Sequence, residues 1–447
     1  MRFRLHAFHA ITVAILAGLL AAPSGARAAE PITLTARLAH PVMKSGDRHT
    51  NYLRIGLNGC EPQPKSERTP VNVAFVIDRS GSMAGDRIAQ ARAAAVMAVK
   101  RLTDRDIASV VIFDDRVDVP VPAQKVADQS YFIDRIQQVG VRGNTAIYAG
   151  VNAGADEVRK FKDAQRLNRV VLLSDGQANV GPSLPKDFAA LGGALLAEGI
   201  SVSTVGLGAD YNEDLMLQLA RAADGNHAFA AAPTDLVQIF NREFDDVLAS
   251  CAQMVAIDIE LKPGVRAVRA LSRDGTIDGA HAKFQLNQVY AATEHYVLME
   301  VAFDQAAAAD EREIGVVHVA YTAPESGARQ TIDAPIRARF SASDTEVTAN
   351  VDKTVMESVI EQTTRDRAAR AVVLRDQGRT DEARALLLQN TSEIDAYVAT
   401  APSAALSDIS RQYNSLLGGM AKPSQWNEQR KLLRQMDSKG SAFGARR

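Results

Sequence analysis

The sequence places oxygen-bearing side chains in three short clusters. Asp78-Arg-Ser80-Gly-Ser82 comes first, Gly143-Asn-Thr145 second and Ser174-Asp175-Gly176 third. Carboxylates and hydroxyls, with no nitrogen or sulfur among them, suit a hard divalent cation. Mg2+ takes oxygen ligands in a near-octahedral shell and keeps several of them as water. Ser80 and Ser82 are alternate positions of one tight loop, so both hydroxyls can face one ion, with Gly81 expected to allow the turn. Hydroxyl ligands are neutral and would leave the charge of such an ion poorly balanced. Taken singly, Asp78-Arg-Ser80 also reads as a helix cap after a strand, and Asp175-Gly176 as an ordinary turn.

Strand-like runs position these clusters. Val71–Ile77 is almost continuously apolar, the mark of a strand buried on both faces. Residues 108–113, 169–174, 202–206 and 228–230 read as further strands of the same unit. Between and after them, helical spacing covers 89–102, 130–138, 147–162, 186–198, 212–224 and Thr234–Leu248. Strand alternating with helix over residues 71–250 predicts an α/β domain with a mostly parallel sheet and helices on both faces. Ligands of such sheets sit at the carboxyl ends of the strands. The first and third clusters stand at the ends of 71–77 and 169–174.

In their order and spacing, Asp78, Ser80, Ser82, Thr145 and Asp175 resemble the metal-ion-dependent adhesion site of the von Willebrand factor type A domain. That pattern is DxSxS, a threonine and an aspartate, and the resemblance spans about residues 71–250. It implies a Rossmann-like fold and a bound divalent cation, Mg2+ or else Mn2+ or Ca2+. By the same resemblance Ser80 and Ser82 coordinate directly and Thr145 directly or through water. Asp78 and Asp175 act mostly through water, and a protein partner supplies an acidic side chain. In that family the last helix of the domain shifts on ligand binding, and Thr234–Leu248 is the matching segment. The order of parts along the chain also resembles a group of exported bacterial A-domain proteins named after calcium-activated chloride channels, although nothing in the sequence looks like a pore.

The flanks change period. Ile32–Leu38 alternates apolar and polar residues, as do Leu53, Ile55 and Leu57, and the pattern returns at 257–261, 297–303 and 316–321. One β-sandwich is therefore expected from residues 29–70 and 251–345, with the α/β domain of 71–250 inserted into it. Residues 352–436 return to helical spacing. Helices over 355–375 and 380–394 form an α-helical hairpin around Asp376–Asp381, and 408–417 follows. The hairpin resembles one tetratricopeptide unit without a second copy. The tail, 437–447, is expected to be disordered.

Residues 1–28 read as a signal peptide. Arg2 and Arg4 precede the apolar run Ile11–Ala22, and Ala26-Arg-Ala28 predicts cleavage after Ala28. That run is short for a membrane span, which needs about 20 residues. The mature protein is thus expected to be periplasmic or secreted, with no membrane span after cleavage. Cys60 and Cys251 are the two cysteines. In an oxidising compartment they can pair, closing the neck of the inserted domain; two buried free thiols are the alternative.

The formal net charge of −2 and the lack of basic tracts argue against nucleic-acid binding. Enzyme motifs are missing: no GxSxG, HExxH, GxxxxGK[ST], or GxGxxG at a strand–helix junction. The eight histidines are scattered without ligand spacing. The sequence thus points to an exported, non-enzymatic, metal-dependent protein-binding or adhesion module. The rival expectation is a structural scaffold that helps assemble an envelope complex through its β-sandwich and helical region.

Overall fold

The structure, a computed structural model, describes residues 32–61, 69–163, 165–208, 211–230, 250–307, 309–324, 326–420 and 422–442. The expected signal segment and the helix expected at Thr234–Leu248 lie outside the described residues.

Three strands come first: β1 (Ile32–Leu38), β2 (Val42–Lys44) and β3 (His49–Gly59). β1 and β3 pair antiparallel from Ile32↔Gly59 to Leu38↔Leu53. The chain then enters the α/β unit. In order this comprises β4 (Val71–Asp78), α1 (Asp86–Val99), β5 (Ile107–Phe113), β6 (Val117–Lys125), α2 (Gln129–Gln137) and α3 (Ile147–Arg159). It continues with β7 (Leu167–Ser174), α4 (Pro185–Ala197), β8 (Ser201–Leu207), α5 (Glu213–Ala222) and β9 (His227–Ala230).

The sheet runs β6-β5-β4-β7-β8-β9, with every neighbouring pair parallel except β5 and β6. Every residue of β4, β5, β7 and β8 is buried, because helices cover both faces of the sheet. On one face Phe75 and Ile77 meet Ala91, Ala94, Ala95 and Ala98 of α1, whose small side chains let the helix approach closely. On the other, Ala74 and Val76 meet Val151, Phe188 and Leu215 of α3, α4 and α5. β6 was not expected from the sequence. Pro120 and Pro122 interrupt its alternation, and proline is tolerated there because β6 is an edge strand.

Seven strands follow: β10 (Ser250–Leu261), β11 (Val265–Ala270), β12 (Thr276–Ile277), β13 (His281–Tyr290), β14 (Glu294–Phe303), β15 (Ala309–Thr322) and β16 (Arg329–Ser341). They join the first three in two sheets, β1-β3-β14-β11 and β12-β13-β10-β15-β16-β2. Ile55, Leu57 and Val297 of one sheet share a core with Ile257, Phe284 and Val317 of the other. The α/β unit is thus inserted between strands of a sandwich. Cys60 and Cys251 are disulfide-bonded, with Cα atoms 5.8 Å apart, so the bridge and not two free thiols closes the insertion. Two polar ties also hold the inserted unit to the sandwich. Arg169 donates to the Tyr290 hydroxyl at 2.8 Å, and Asp224 pairs with Arg273 at 2.7 Å.

The C-terminal region is helical: α6 (Asp344–Ala349), α7 (Lys353–Asp376), α8 (Thr380–Thr400), α9 (Ala404–Leu417) and α10 (Pro423–Ala442). The side chains of Ser343, Asp352 and Ser403 cap α6, α7 and α9, each accepting a backbone N–H of its first turn. Arg54 anchors α7 to the sandwich. It bonds Ser358 Oγ at 3.0 Å and Glu294 at 2.6 Å, and its guanidinium lies 4.4 Å from the Tyr296 ring centre. Two expectations are corrected here. α8 runs past Ile394 to Thr400, and α10 continues to Ala442 where a disordered tail was expected from Asp437. The reason is a shared apolar core: Val372, Leu387, Tyr413, Trp426 and Leu433 make α7 to α10 a four-helix cluster, more than one hairpin.

Candidate metal centre

The candidate site is assembled at the carboxyl edge of β4 and β7. Asp78 is the last residue of β4 and is fully buried. Its Oδ1 accepts the Ser80 backbone N–H at 2.8 Å, and its Oδ2 accepts the Ser174 hydroxyl at 2.5 Å. Both oxygens are therefore aimed before any ligand arrives. Residues Gly81–Met83 form one 3-10 turn, which leaves Ser80 Oγ and Ser82 Oγ 3.1 Å apart. Ser80 is buried and Ser82 exposed, so the pair spans the step from interior to solvent.

Thr145 precedes α3 and is also buried. Its backbone N–H donates to Asn179 Oδ1 at 2.8 Å, and its carbonyl accepts the N–H groups of Asn179 and Val180 at 3.1 and 3.2 Å. The threonine loop is thereby sewn to the loop that follows Asp175. It also meets the serine loop, where the Gly81 N–H donates to the Gly143 carbonyl at 3.0 Å. Asp175, fully buried, follows β7 directly; its carbonyl accepts the Asn212 N–H at 3.0 Å. The structure thus links the three loops that carry the five expected residues.

One local expectation is revised. Gly81 lies outside the left-handed region, and a Cβ there would meet only the Gly143 carbonyl at 3.4 Å. The glycine that the loops require is Gly143. Its φ is +70°, and a Cβ would lie 2.2 Å from Asp115 Oδ1.

Sequence reasoning gave no role to four contributors. Arg87 Nη1 faces Asp175 Oδ2 at 3.2 Å. Ser174 orients Asp78, and Asn212 holds the Asp175 backbone. Asp114, fully buried just beyond β5, binds Arg79 at 2.9 Å and Arg142 at 2.8 Å. Its backbone carbonyl accepts the Ala146 N–H at 2.8 Å, so this one acid ties the serine loop to the threonine loop. Burial opposes ionisation of Asp114, but hydrogen bonds from Arg142 and the Arg116 backbone and the charge of Arg79 hold it below the usual carboxylate range.

Asp78 behaves oppositely. Burial, helped by the charge of Asp175 and only partly offset by hydrogen bonds from Ser174 and Ser80, pushes its carboxyl up to about 6. Among the described residues no group of three or more His, Cys, Asp or Glu could hold a metal ion. A cation here must therefore draw on hydroxyls. The donor set of Asp78, Ser80, Ser82, Thr145 and Asp175 contains oxygen alone and fits Mg2+, Mn2+ or Ca2+ better than a softer metal.

The family model of the von Willebrand factor type A domain matches residues 72–242. The chain contains a von Willebrand factor type A domain. Beyond this A domain, similarity extends over much of the chain. An uncharacterized protein of Synechocystis sp. is 26% identical over 318 residues, covering 69% of this chain and 74% of its own length. A second uncharacterized protein, from Escherichia coli, is 28% identical over 44% of this chain and 35% of its own. Human inter-alpha-trypsin inhibitor heavy chain H3 is 28% identical over 36% of this chain. The chain spans only 19% of that protein's length.

Two solved structures share the fold across the A domain, sandwich and helices. A von Willebrand factor type A protein from Catenulispora acidiphila has a TM-score of 0.71 at 15% identity, covering 92% of this chain and 97% of its own. An ArnB paralog from Sulfolobus acidocaldarius has a TM-score of 0.64 at 16% identity, covering 93% and 100%.

Proposed function

We propose that this chain is an exported, non-enzymatic protein-binding module whose A domain captures an acidic side chain of a partner through a divalent cation. Ser80, Ser82 and Thr145 would hold the ion, with Asp78 and Asp175 behind them as charge and water-orienting groups. The ion, when bound, supplies a positive charge able to take a carboxylate oxygen. The observation that carries this reading is the pair of hydroxyls 3.1 Å apart, at the solvent edge of two fully buried carboxylates. Protein recognition is the common work of A domains. The disulfide and the signal-like residues 1–28 support a periplasmic or secreted location, and no helix among the described residues is long and apolar enough to cross a membrane. The order of parts also fits the exported bacterial group named after calcium-activated chloride channels.

Affinity capture from envelope extract tests the proposal, run in Mg2+, in EDTA, and with Ser82→Ala. A partner retained only with Mg2+ and an intact Ser82 supports it. A partner indifferent to both overturns it.

A second reading has its own observation. Arg169–Tyr290, Asp224–Arg273 and the disulfide fasten the A domain to the sandwich, as a scaffold for an envelope complex would require. In that case Ser82→Ala combined with Asp78→Ala lowers the melting temperature but leaves capture intact.

A further inference from the structure

The C-terminal helix reaches the metal loop through one short chain of contacts. Asn212, whose N–H holds the Asp175 carbonyl, is also the N-cap of α5, its side chain accepting the Leu215 N–H at 3.3 Å. The two segments touch through their backbones: a Cβ on Gly176 would lie 2.9 Å from the Asn212 carbonyl oxygen. Directly after Asn212 come Glu213 and Asp214, and both are bound by α10. Arg430 pairs with Glu213, with Asp214 and, at 2.8 Å, with Asp376. Arg434 pairs with Asp214 at 2.7 Å.

On the other side of Asn212, Tyr211 is clamped as firmly. Its ring stacks on Phe229 at 5.3 Å, and its hydroxyl meets His227 Nε2 at 2.9 Å. His227 Nδ1 in turn meets the Thr204 hydroxyl at 2.9 Å. Lys431 of α10 lies 5.4 Å from the centres of both stacked rings. Three consecutive residues, Tyr211 to Glu213, therefore have α10 on both flanks and the Asp175 backbone at their centre.

We infer that Arg430, Lys431 and Arg434 are positioning residues for the metal loop, and that docking of α10 and occupancy of the candidate metal site are thermodynamically linked. The inference rests on the metal reading above. The contact is largely ionic on one side and cation-on-ring on the other. It fixes the turn that presents Asp175 without touching any proposed ligand. Linkage is reciprocal. If α10 favours the ion-binding arrangement of Asp175, a bound ion favours docked α10 by the same factor. The C-terminal helices would then sense what the A domain holds.

The test uses the full chain, Mn2+ as the probe, and the variants Arg430→Gln/Arg434→Gln and, from the opposite side, Asp214→Asn. Calorimetry gives the Mn2+ dissociation constant, and hydrogen exchange reports residues 423–436. The inference expects faster exchange in that helix, Mn2+ binding weaker by about tenfold, and slower exchange in the unaltered chain once Mn2+ is added. Asp214→Asn should reproduce the effect even if the double variant folds poorly. Unchanged Mn2+ affinity beside a released helix overturns the linkage, as does unchanged exchange in both variants. No Mn2+ binding by the unaltered chain is a different result, one that removes the metal reading and the linkage with it.

Discussion

Arg87 Nη1 stands 3.2 Å from Asp175 Oδ2, on the helix that begins just after the Ser80–Ser82 turn. A fixed cation thus faces one of two carboxylates buried at the same sheet edge. Burying unpaired charge is expensive, and this pair shows how the A domain tolerates Asp175 in the interior. The same guanidinium repels any metal ion placed beside that carboxylate.

Arg87→Gln should therefore tighten Mn2+ binding while weakening the metal-free fold. Two like charges several ångströms apart near a protein surface repel by about 1 kcal/mol or more, so a gain of about fivefold or greater in affinity is expected. Calorimetry measures it directly. Melting without metal should fall, and the deficit should shrink as Mn2+ saturates the site.

Asp78 gives a pH signature. Its folded value near 6 lies above the ordinary 3.8. The stability it contributes is fully present below pH 3.8 and is lost as pH rises through 6, reaching about 3 kcal/mol by pH 7. Asp78→Asn, which keeps the shape without the charge, should raise the metal-free melting temperature at pH 7 and leave it little changed at pH 4. Because protons and metal compete, Mn2+ affinity of the unaltered chain should fall by about tenfold per unit below pH 6.

His227 has the opposite sign. Complete burial pushes it down to about 4, and its neutral ring is held between Thr204 and Tyr211. Stability linked to it is present above its unfolded value of 6.5 and disappears as pH falls towards 4. The unaltered chain should thus lose about 3 kcal/mol through this residue on acidification over that window. His227→Gln should flatten that part of the pH–melting curve.

Gly143 and Gly81 separate two roles of glycine in the motif loops. Gly143→Ala places a Cβ against Asp115 in a left-handed backbone and should cost about 1–3 kcal/mol and abolish Mn2+ binding. Gly81→Ala should cost much less, since its Cβ meets an ordinary contact. Paired melting and calorimetry on the two variants check the contrast.

The fold was legible wherever burial made strands continuous and helices periodic. β4, β5, β7 and β8 read as apolar runs because both their faces are covered. β6 and β16 did not: β6 is an edge strand carrying Pro120 and Pro122, and β16, which β2 covers only over Arg339–Ser341, carries polar residues and Pro335. The site divides in the same way. DxSxS is a local signature, and its residues stand together because one loop holds them. Arg87 finds Asp175 88 positions away and Ser174 finds Asp78 across 96, contacts that only the register of β4 and β7 creates. No short-range pattern announces such partners. α10 falls within the residues read as helical, but its docking did not show: Arg430 and Arg434 read as an ordinary solvent-facing stripe until the fold sets them against Glu213 and Asp214.

The insertion of the A domain separates local pairings from distant ones. β3 finds its main partner in β14, with His49 opposite Phe303, and the whole A domain lies between them in the chain. The six strands of the A domain, by contrast, all fall within residues 71–230 and can assemble from near neighbours. The inserted unit is therefore able to complete itself while β1 and β3 are still a lone hairpin. Contacts so distant in sequence form late, and a hairpin waiting for its sheet exposes an apolar face and an unpaired edge meanwhile. Cys60 and Cys251 can be bridged only when their Cα atoms come within about 7 Å, a proximity that the two ends of the insert provide in the finished fold, at 5.8 Å.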